Sequence, residues 1–190
     1  MALTREKILD TAFEVLRQFG LADLSMRRLA TELGVAPGAL YYHVKNKQEL
    51  LTHLASRMLH RVLVASSRQG RAGTGRLDII CGELYTQLMP VKESAEVIRL
   101  AIALHPQEQG PGHLDLLDIL ESEFKPLCGS SAGLAASSLL HLALSLIEEE
   151  QTRALLTGAA PASDPPASYI SALEHLIKGF TVSPSTPPGY

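Results

Sequence analysis

Between residues 25 and 47 the chain has to end one helix and begin another within three residues. Ser25 is a strong N-cap, and Met26, Leu29, Ala30 and Leu33 fall on one side of the next helix. Gly34 supplies the residue at which that helix can stop. Pro37 stands where a new helix starts without losing a hydrogen bond. The second helix turns Leu40 and Val44 toward a core and Tyr41, Tyr42, His43 and Lys47 elsewhere. Two short helices across a glycine-containing turn make a helix-turn-helix, whose second helix is suited to the major groove of DNA.

The surrounding sequence is helical too. Residues 4–19 form a predicted helix with Thr4 as cap and Ile8, Ala12, Val15, Leu16 and Phe19 as its apolar stripe; Gly20 ends it and Leu24 staples the next helix. Three helices this short bury too little apolar surface to be stable alone. A fourth, capped by Asn46 with Glu49 at the capping-box position, runs to about residue 66. Its apolar face, from Leu50 to Leu63, is too wide for a surface helix, so it is expected to connect the small bundle to the carboxy-terminal helices.

Further helices are predicted over 76–89, 93–104, 113–124, 131–156 and 168–180, stopped by Pro90, a breaker-rich loop after Leu104, Pro126 and the Pro/Ala linker at 158–167. Residues 69–75 read as a glycine-rich loop. No stretch alternates with period two for long enough to be a strand, so the fold class is all-α. The expected domains are a helix-turn-helix DNA-binding domain at 1–46, a connector helix at 47–68, a larger helical ligand-binding and dimerisation domain at 69–182 and a disordered tail at 183–190. Residues 131–156 carry leucine and small residues nearly all round. With the amphipathic last helix they predict a four-helix homodimer interface, against the alternative of an intramolecular core.

Charge is segregated. Residues 1–76 hold 12 Lys+Arg against 6 Asp+Glu, whereas 77–190 hold 5 against 14. A basic amino-terminal part on an acidic remainder is what results when only one end meets phosphates. No apolar run is read as a membrane span, and the charged amino-terminus MALTREKILD does not resemble a signal peptide, so a cytoplasmic protein is expected. Cys81 and Cys128 read as two buried thiols rather than a redox pair. With no HExxH, no pair of ExxH sequences and no phosphate loop, an enzyme is not expected, and no cofactor or metal is assigned.

The donors that suit DNA are local to the helix-turn-helix. Tyr41, Tyr42 and His43, beside Lys45 and Lys47, are of the type that grips phosphate oxygens and fixes register. Lys47 and, at the other helix start, Ser25 with the backbone at Met26 gain from a helix N-terminus. Arg27 is a long donor on the first helix of the motif, and Arg28 is expected to pair with Glu32. The start of the second helix, Ala36-Pro37-Gly38-Ala39, offers no side-chain hydrogen bond. Pro37 or Ala39 could touch a thymine methyl there, and Gly38 could let the backbone come close.

The run LxxRxLAxxLGVxxxxLYxHVKNKxxLL, from Leu24 to Leu51, resembles the DNA-binding domain of the tetracycline-repressor (TetR) family of bacterial transcription regulators, and the resemblance extends over residues 4–60. It implies a ligand-responsive repressor that binds a palindromic double-stranded DNA operator as a homodimer, with Arg27 reaching a base edge. It also implies a small-molecule effector pocket in the carboxy-terminal domain. Leu63 stands at a position that resembles a drug-contacting histidine of the family, which argues against tetracycline and for a mostly apolar effector. Leu59, Leu63, Leu84, Leu88, Ile98, Ile102, His105, Leu117, Leu140 and Glu148 are the expected contacts. His141 shares a helix face with Glu148 and reads as a hydrogen-bonded histidine rather than a metal ligand. A helical protein–protein interaction module without sequence-specific DNA binding is the alternative.

Overall fold

A computed structural model describes residues 2–67, 74–104, 115–160 and 162–181. Within them the chain is helical, with no strand. The first three helices are α1 (Arg5–Phe19), α2 (Met26–Leu33) and α3 (Pro37–Tyr41), followed by α4 (Lys47–Ser67). The remainder holds α5 (Thr74–Leu88), α6 (Ser94–Leu104), α7 (Asp115–Cys128), a 3₁₀ turn at Gly129–Ser131, α8 (Ala132–Thr157) and α9 (Ala167–Thr181). The glycine-rich segment after α4, most of the loop after α6 and the carboxy-terminal tail lie outside the described residues.

Local signals set the helix ends. Thr4 caps α1 by accepting the Lys7 amide at 3.2 Å. Asn46 caps α4 by accepting the Glu49 amide at 2.8 Å, and the Glu49 carboxylate accepts the Lys45 amide at 2.6 Å. That reciprocal pair holds the entry to α4 in the manner of a capping box. The expectation that Pro126 ends a helix is corrected: α7 continues through it to Cys128. Proline in the final turn removes one backbone donor, and the buried Phe124 below it keeps the turn packed.

α4 joins the two parts by packing. Leu50 and Leu54 are fully buried toward the small bundle, and Leu59, Val62 and Leu63 are buried further along. The helix contacts α1 on one side and α5, α6 and α7 on the other. Each such leucine contributes about 1.5–3 kcal/mol by burial, so α4 holds both parts in one hydrophobic core.

On α8, Ala135, Leu139, Ala143, Leu144 and Ile147 face the core. Leu134 on the other side is 65% exposed, and Leu142 and Leu146 are only half-buried. The reading that no stretch is apolar enough to cross a bilayer also needs correction. By length and composition alone a window within 115–157 qualifies, with mean hydropathy 1.5 and 44% of it buried in this fold. Its apolar residues are accounted for by the core helix α8.

Candidate nucleic-acid interface

The two helices of the motif are fixed by their turn. Ser25 Oγ accepts the Arg28 amide at 3.1 Å, which starts α2. Gly34 adopts φ +65°, and its N–H and that of Val35 return to the carbonyls of Thr31 and Ala30 at 3.1 and 3.0 Å. This left-handed stop favours glycine because a Cβ would be strained there. Leu29 and Leu40 are fully buried beneath the turn. α3 is only five residues long, and Val44, expected on that helix, lies just beyond it yet is fully buried.

Packing Leu40 and Val44 inward forces their neighbours out. Tyr42 is 92% exposed and Tyr41 is half exposed. Pro37 and Gly38 are exposed, and Ala39 is half-buried. Nothing among the described residues lies within 4 Å of where a Gly38 Cβ would be, so their packing does not demand glycine there. The start of α3 is therefore a bare, low surface.

The two arginines of α2 differ sharply. Arg28 pairs with Glu32 at 2.9 Å and Asp23 at 3.5 Å, and its guanidinium lies 4.3 Å from the centre of the Phe19 ring. Arg27 is exposed and has no ion pair among the described residues. Lys47 is half-buried, and its ammonium reaches the Leu21 carbonyl at 3.4 Å. Lys45 is exposed beside it, and His43 is half-buried.

Sequence reasoning missed two supports of this surface. Arg5, at the start of α1, donates from Nε to the His43 carbonyl at 3.0 Å and so ties α1 to the end of α3. No spacing rule links residues 38 apart. His53, one turn into α4, is buried with its Nε2 3.6 Å from Glu49. Burial holds its pKa below the usual histidine value, Arg5 adds to that, and Glu49 opposes it. Glu49 is pulled up by burial, but the Lys45 amide and His53 outweigh this and lower its pKa.

The expected effector contacts are drawn into the carboxy-terminal core. Leu59, Leu63, Leu84, Leu88, Ile98 and Leu140 are all buried there. Ile102, Leu117 and Glu148 are half-buried, and His105 lies outside the described residues. The Glu148 carboxylate pairs with Arg99. His141 is exposed and bonded to the Ser137 carbonyl at 2.7 Å. Of the thiols, Cys81 is buried and Cys128 only half-buried, and both are free. Residues 129–133 fit the spacing GxSxG, but 129–131 form a 3₁₀ turn after α7 and 132–133 open α8, not the strand-to-helix elbow that gives that spacing catalytic meaning.

Residues 8–54 match the model for bacterial regulatory proteins of the tetR family. Over 205 aligned residues the chain is 28% identical to the class D tetracycline repressor of Escherichia coli, covering 95% of this chain and 90% of that one. It is 51% identical to the Escherichia coli class C tetracycline repressor over 57 residues, which are 30% of this chain and 26% of that one. The fold superposes on BioQ solved with its natural double-stranded DNA operator with a TM-score of 0.76 and 25% identity, covering 95% of this chain and 99% of that one. A family match that falls on the helix-turn-helix, beside a similarity that continues through nearly the whole chain, identifies residues 8–54 as a DNA-binding domain of the type found in the TetR family of bacterial transcription regulators.

Proposed function

We propose that this protein is a repressor that binds a palindromic DNA operator as a homodimer and is released by a small, mostly apolar effector. The observation that carries the DNA reading is the contrast within α2 and α3. Arg28 is consumed by internal pairs, whereas Arg27 and Tyr42 are both exposed, Arg27 with no ion pair among the described residues. In this reading residues 1–46 bind DNA, 47–68 connect, and 69–182 bind effector and dimerise.

The roles divide by chemistry. Ser25, the Met26 backbone, Tyr41, His43 and Lys47 hold phosphates, as neutral donors, helix termini and ammonium groups do. Arg27 reads a base edge, for which its fork is suited, and Tyr42 reaches into the groove beside it. Pro37, Gly38 and Ala39 allow close approach without hydrogen-bonded readout, so sequence preference leans on Arg27, Tyr42 and DNA shape. The dimer forms through α8 and α9, on which Leu134, Leu142, Leu146 and Ile170 remain partly open. It sets the two α3 helices about 34 Å apart, one turn of DNA.

An effector entering among Leu59, Leu63, Leu84, Leu88, Ile98 and Leu140, with Ile102, Leu117 and Glu148 at its edge, would act by binding one arrangement of α4 more tightly than the other. α4 touches both α1 and the carboxy-terminal helices, so a tilt there alters the spacing of the reading helices. The protein works in the cytoplasm as a binding protein and not as a catalyst.

The test is selection of duplexes from a random pool by the wild-type chain and by Arg27→Ala and Lys47→Ala. Arg27→Ala is expected to relax the preference at one position of each half-site, and Lys47→Ala to weaken all duplexes alike. The reverse pattern contradicts the assigned roles.

A further inference from the structure

A cleft of about 590 Å³ opens where three elements from both parts of the chain meet. Its walls are the end of α1 with Phe19 and Gly20, the turn between α5 and α6 with Met89, Lys92 and Glu93, and the last turns of α8 with Leu155. It is separate from the buried leucines expected to meet an effector and shares only Glu148 with that set. Its volume lies within the roughly 300–1,000 Å³ of sites that hold drug-sized molecules.

The walls have a definite chemistry. Phe19 is 47% exposed and Leu155 is 80% exposed, and with the exposed Pro90 they present apolar surface to the opening, above the buried Met89. Most of the charges are already engaged. Arg17 is neutralised by Glu14 at 2.9 Å, and Glu148 by Arg99. The Glu93 carboxylate accepts from the neutral Leu21 amide and has no ion pair among the described residues. Glu96 has no ion pair among the described residues. Against Glu93 and Glu96 stands the ammonium of Lys92, which is fixed on the Gln18 carbonyl at 2.6 Å. The apolar cleft therefore retains an excess of negative charge.

We propose that this cleft is a second small-molecule site, one that takes a lipophilic organic cation. The apolar body would lie between Phe19, Pro90 and Leu155, with the cationic centre toward Glu96 and Glu93. Because Glu93 also holds the Leu21 amide, a cation drawn to its carboxylate weakens that bond and loosens the end of α1. Occupancy is thereby felt next to the helix-turn-helix. The binding part of this inference does not depend on the operator reading and is tested without DNA.

Tetraphenylphosphonium and tetraphenylborate have nearly the same size and shape and opposite charge. Each is titrated calorimetrically into the full wild-type chain and into Glu96→Gln and Leu155→Ser, both changes at surface positions. One phosphonium per chain is expected, with the borate weaker by about tenfold or more. Each variant is expected to weaken the phosphonium at least about threefold with its helical circular dichroism unchanged. Hydrogen exchange at Leu21 is expected to speed up when the phosphonium is present. Equal affinity for the two ions, or phosphonium affinity that either variant leaves within twofold, overturns the site. Unaltered Leu21 exchange with the phosphonium bound overturns the link to α1.

Discussion

The carboxylate of Glu93, at the turn between α5 and α6, accepts the backbone N–H of Leu21, 72 residues earlier at the end of α1. Next to it Lys92 reaches the Gln18 carbonyl at 2.6 Å. Glu93 holds this position with φ +54°, in the left-handed region that a side chain makes costly. Two consecutive residues of the carboxy-terminal part therefore clasp the last turn of the first helix, and the clasp includes backbone strain.

If the strain and the carboxylate act separately, two substitutions at Glu93 will divide them. Glu93→Ala keeps the positive φ and loses the acceptor, whereas Glu93→Gly relieves the strain and loses the same acceptor. Thermal unfolding is expected to find the Gly variant more stable than the Ala variant by about 1 kcal/mol. Hydrogen exchange at Leu21 should quicken in both. Equal stability of the two variants would show that the strain is not there.

Gly20 faces the same carboxylate. It adopts φ +89° and ψ −178°, a conformation open almost only to glycine, and a Cβ there would lie 2.7 Å from Glu93 Oε2. Gly20→Ala is expected to cost about 1–3 kcal/mol in denaturant unfolding. The cost should shrink in a Glu93→Ala background, because the clash is removed while the backbone strain persists. Strict additivity of the two changes would sink this account of the contact.

His53 makes stability depend on pH. Its neutral form is favoured in the folded chain, mainly by burial, so its folded pKa lies below the unfolded 6.5. The unfolded chain thus takes up the proton first as pH falls. Stability at this site is intact above about pH 6.5 and declines as the pH drops below that toward the lowered folded value. The groups facing the imidazole are Arg5 and Glu49. The unfolding midpoint of the wild type should fall more steeply between pH 7 and 5 than that of His53→Gln. Parallel profiles would place the pH dependence elsewhere.

Arg27 and Lys47 should separate in stability as well as in DNA binding. Arg27 has no ion pair among the described residues, so Arg27→Ala is expected to change unfolding by less than about 0.5 kcal/mol. Lys47 bonds the Leu21 carbonyl at 3.4 Å and is half-buried, so Lys47→Ala should cost about 0.5–1.5 kcal/mol. Denaturant titrations that rank the two the other way would contradict their surroundings as described.

Much of this was legible because the signals are local. Ser25, Gly34, Asn46 and Glu49 act within one turn of themselves, and the apolar stripe of α1 needs only its own spacing from Ile8 to Leu16, whereas Phe19, expected in that stripe, is 47% exposed. The Arg28–Glu32 pair follows from four-residue spacing in the same way. What stayed hidden was long-range. Arg5 on the His43 carbonyl, Glu93 on the Leu21 amide and Gln151 on the carbonyls of Leu88 and Val91 join residues with no sequence relation. The cleft between the two parts is built from such contacts, so it could not be read before the parts were docked. Pro126 misled for a different reason: proline weakens a helix by one bond, and burial of Phe124 outweighs that loss.

The central claim is that the surface of Arg27 and Tyr42 binds double-stranded DNA as a pair of reading helices. The most direct measurement is a mobility-shift titration on a duplex spanning the promoter-proximal DNA of the protein's own gene, with the mass of the complex determined alongside. A discrete complex of two chains per duplex is predicted, weakening steeply as salt rises and lost in Arg27→Ala/Tyr42→Ala while the fold persists. Failure of the wild-type chain to bind any duplex at low salt, or equal binding by that double variant, would contradict it.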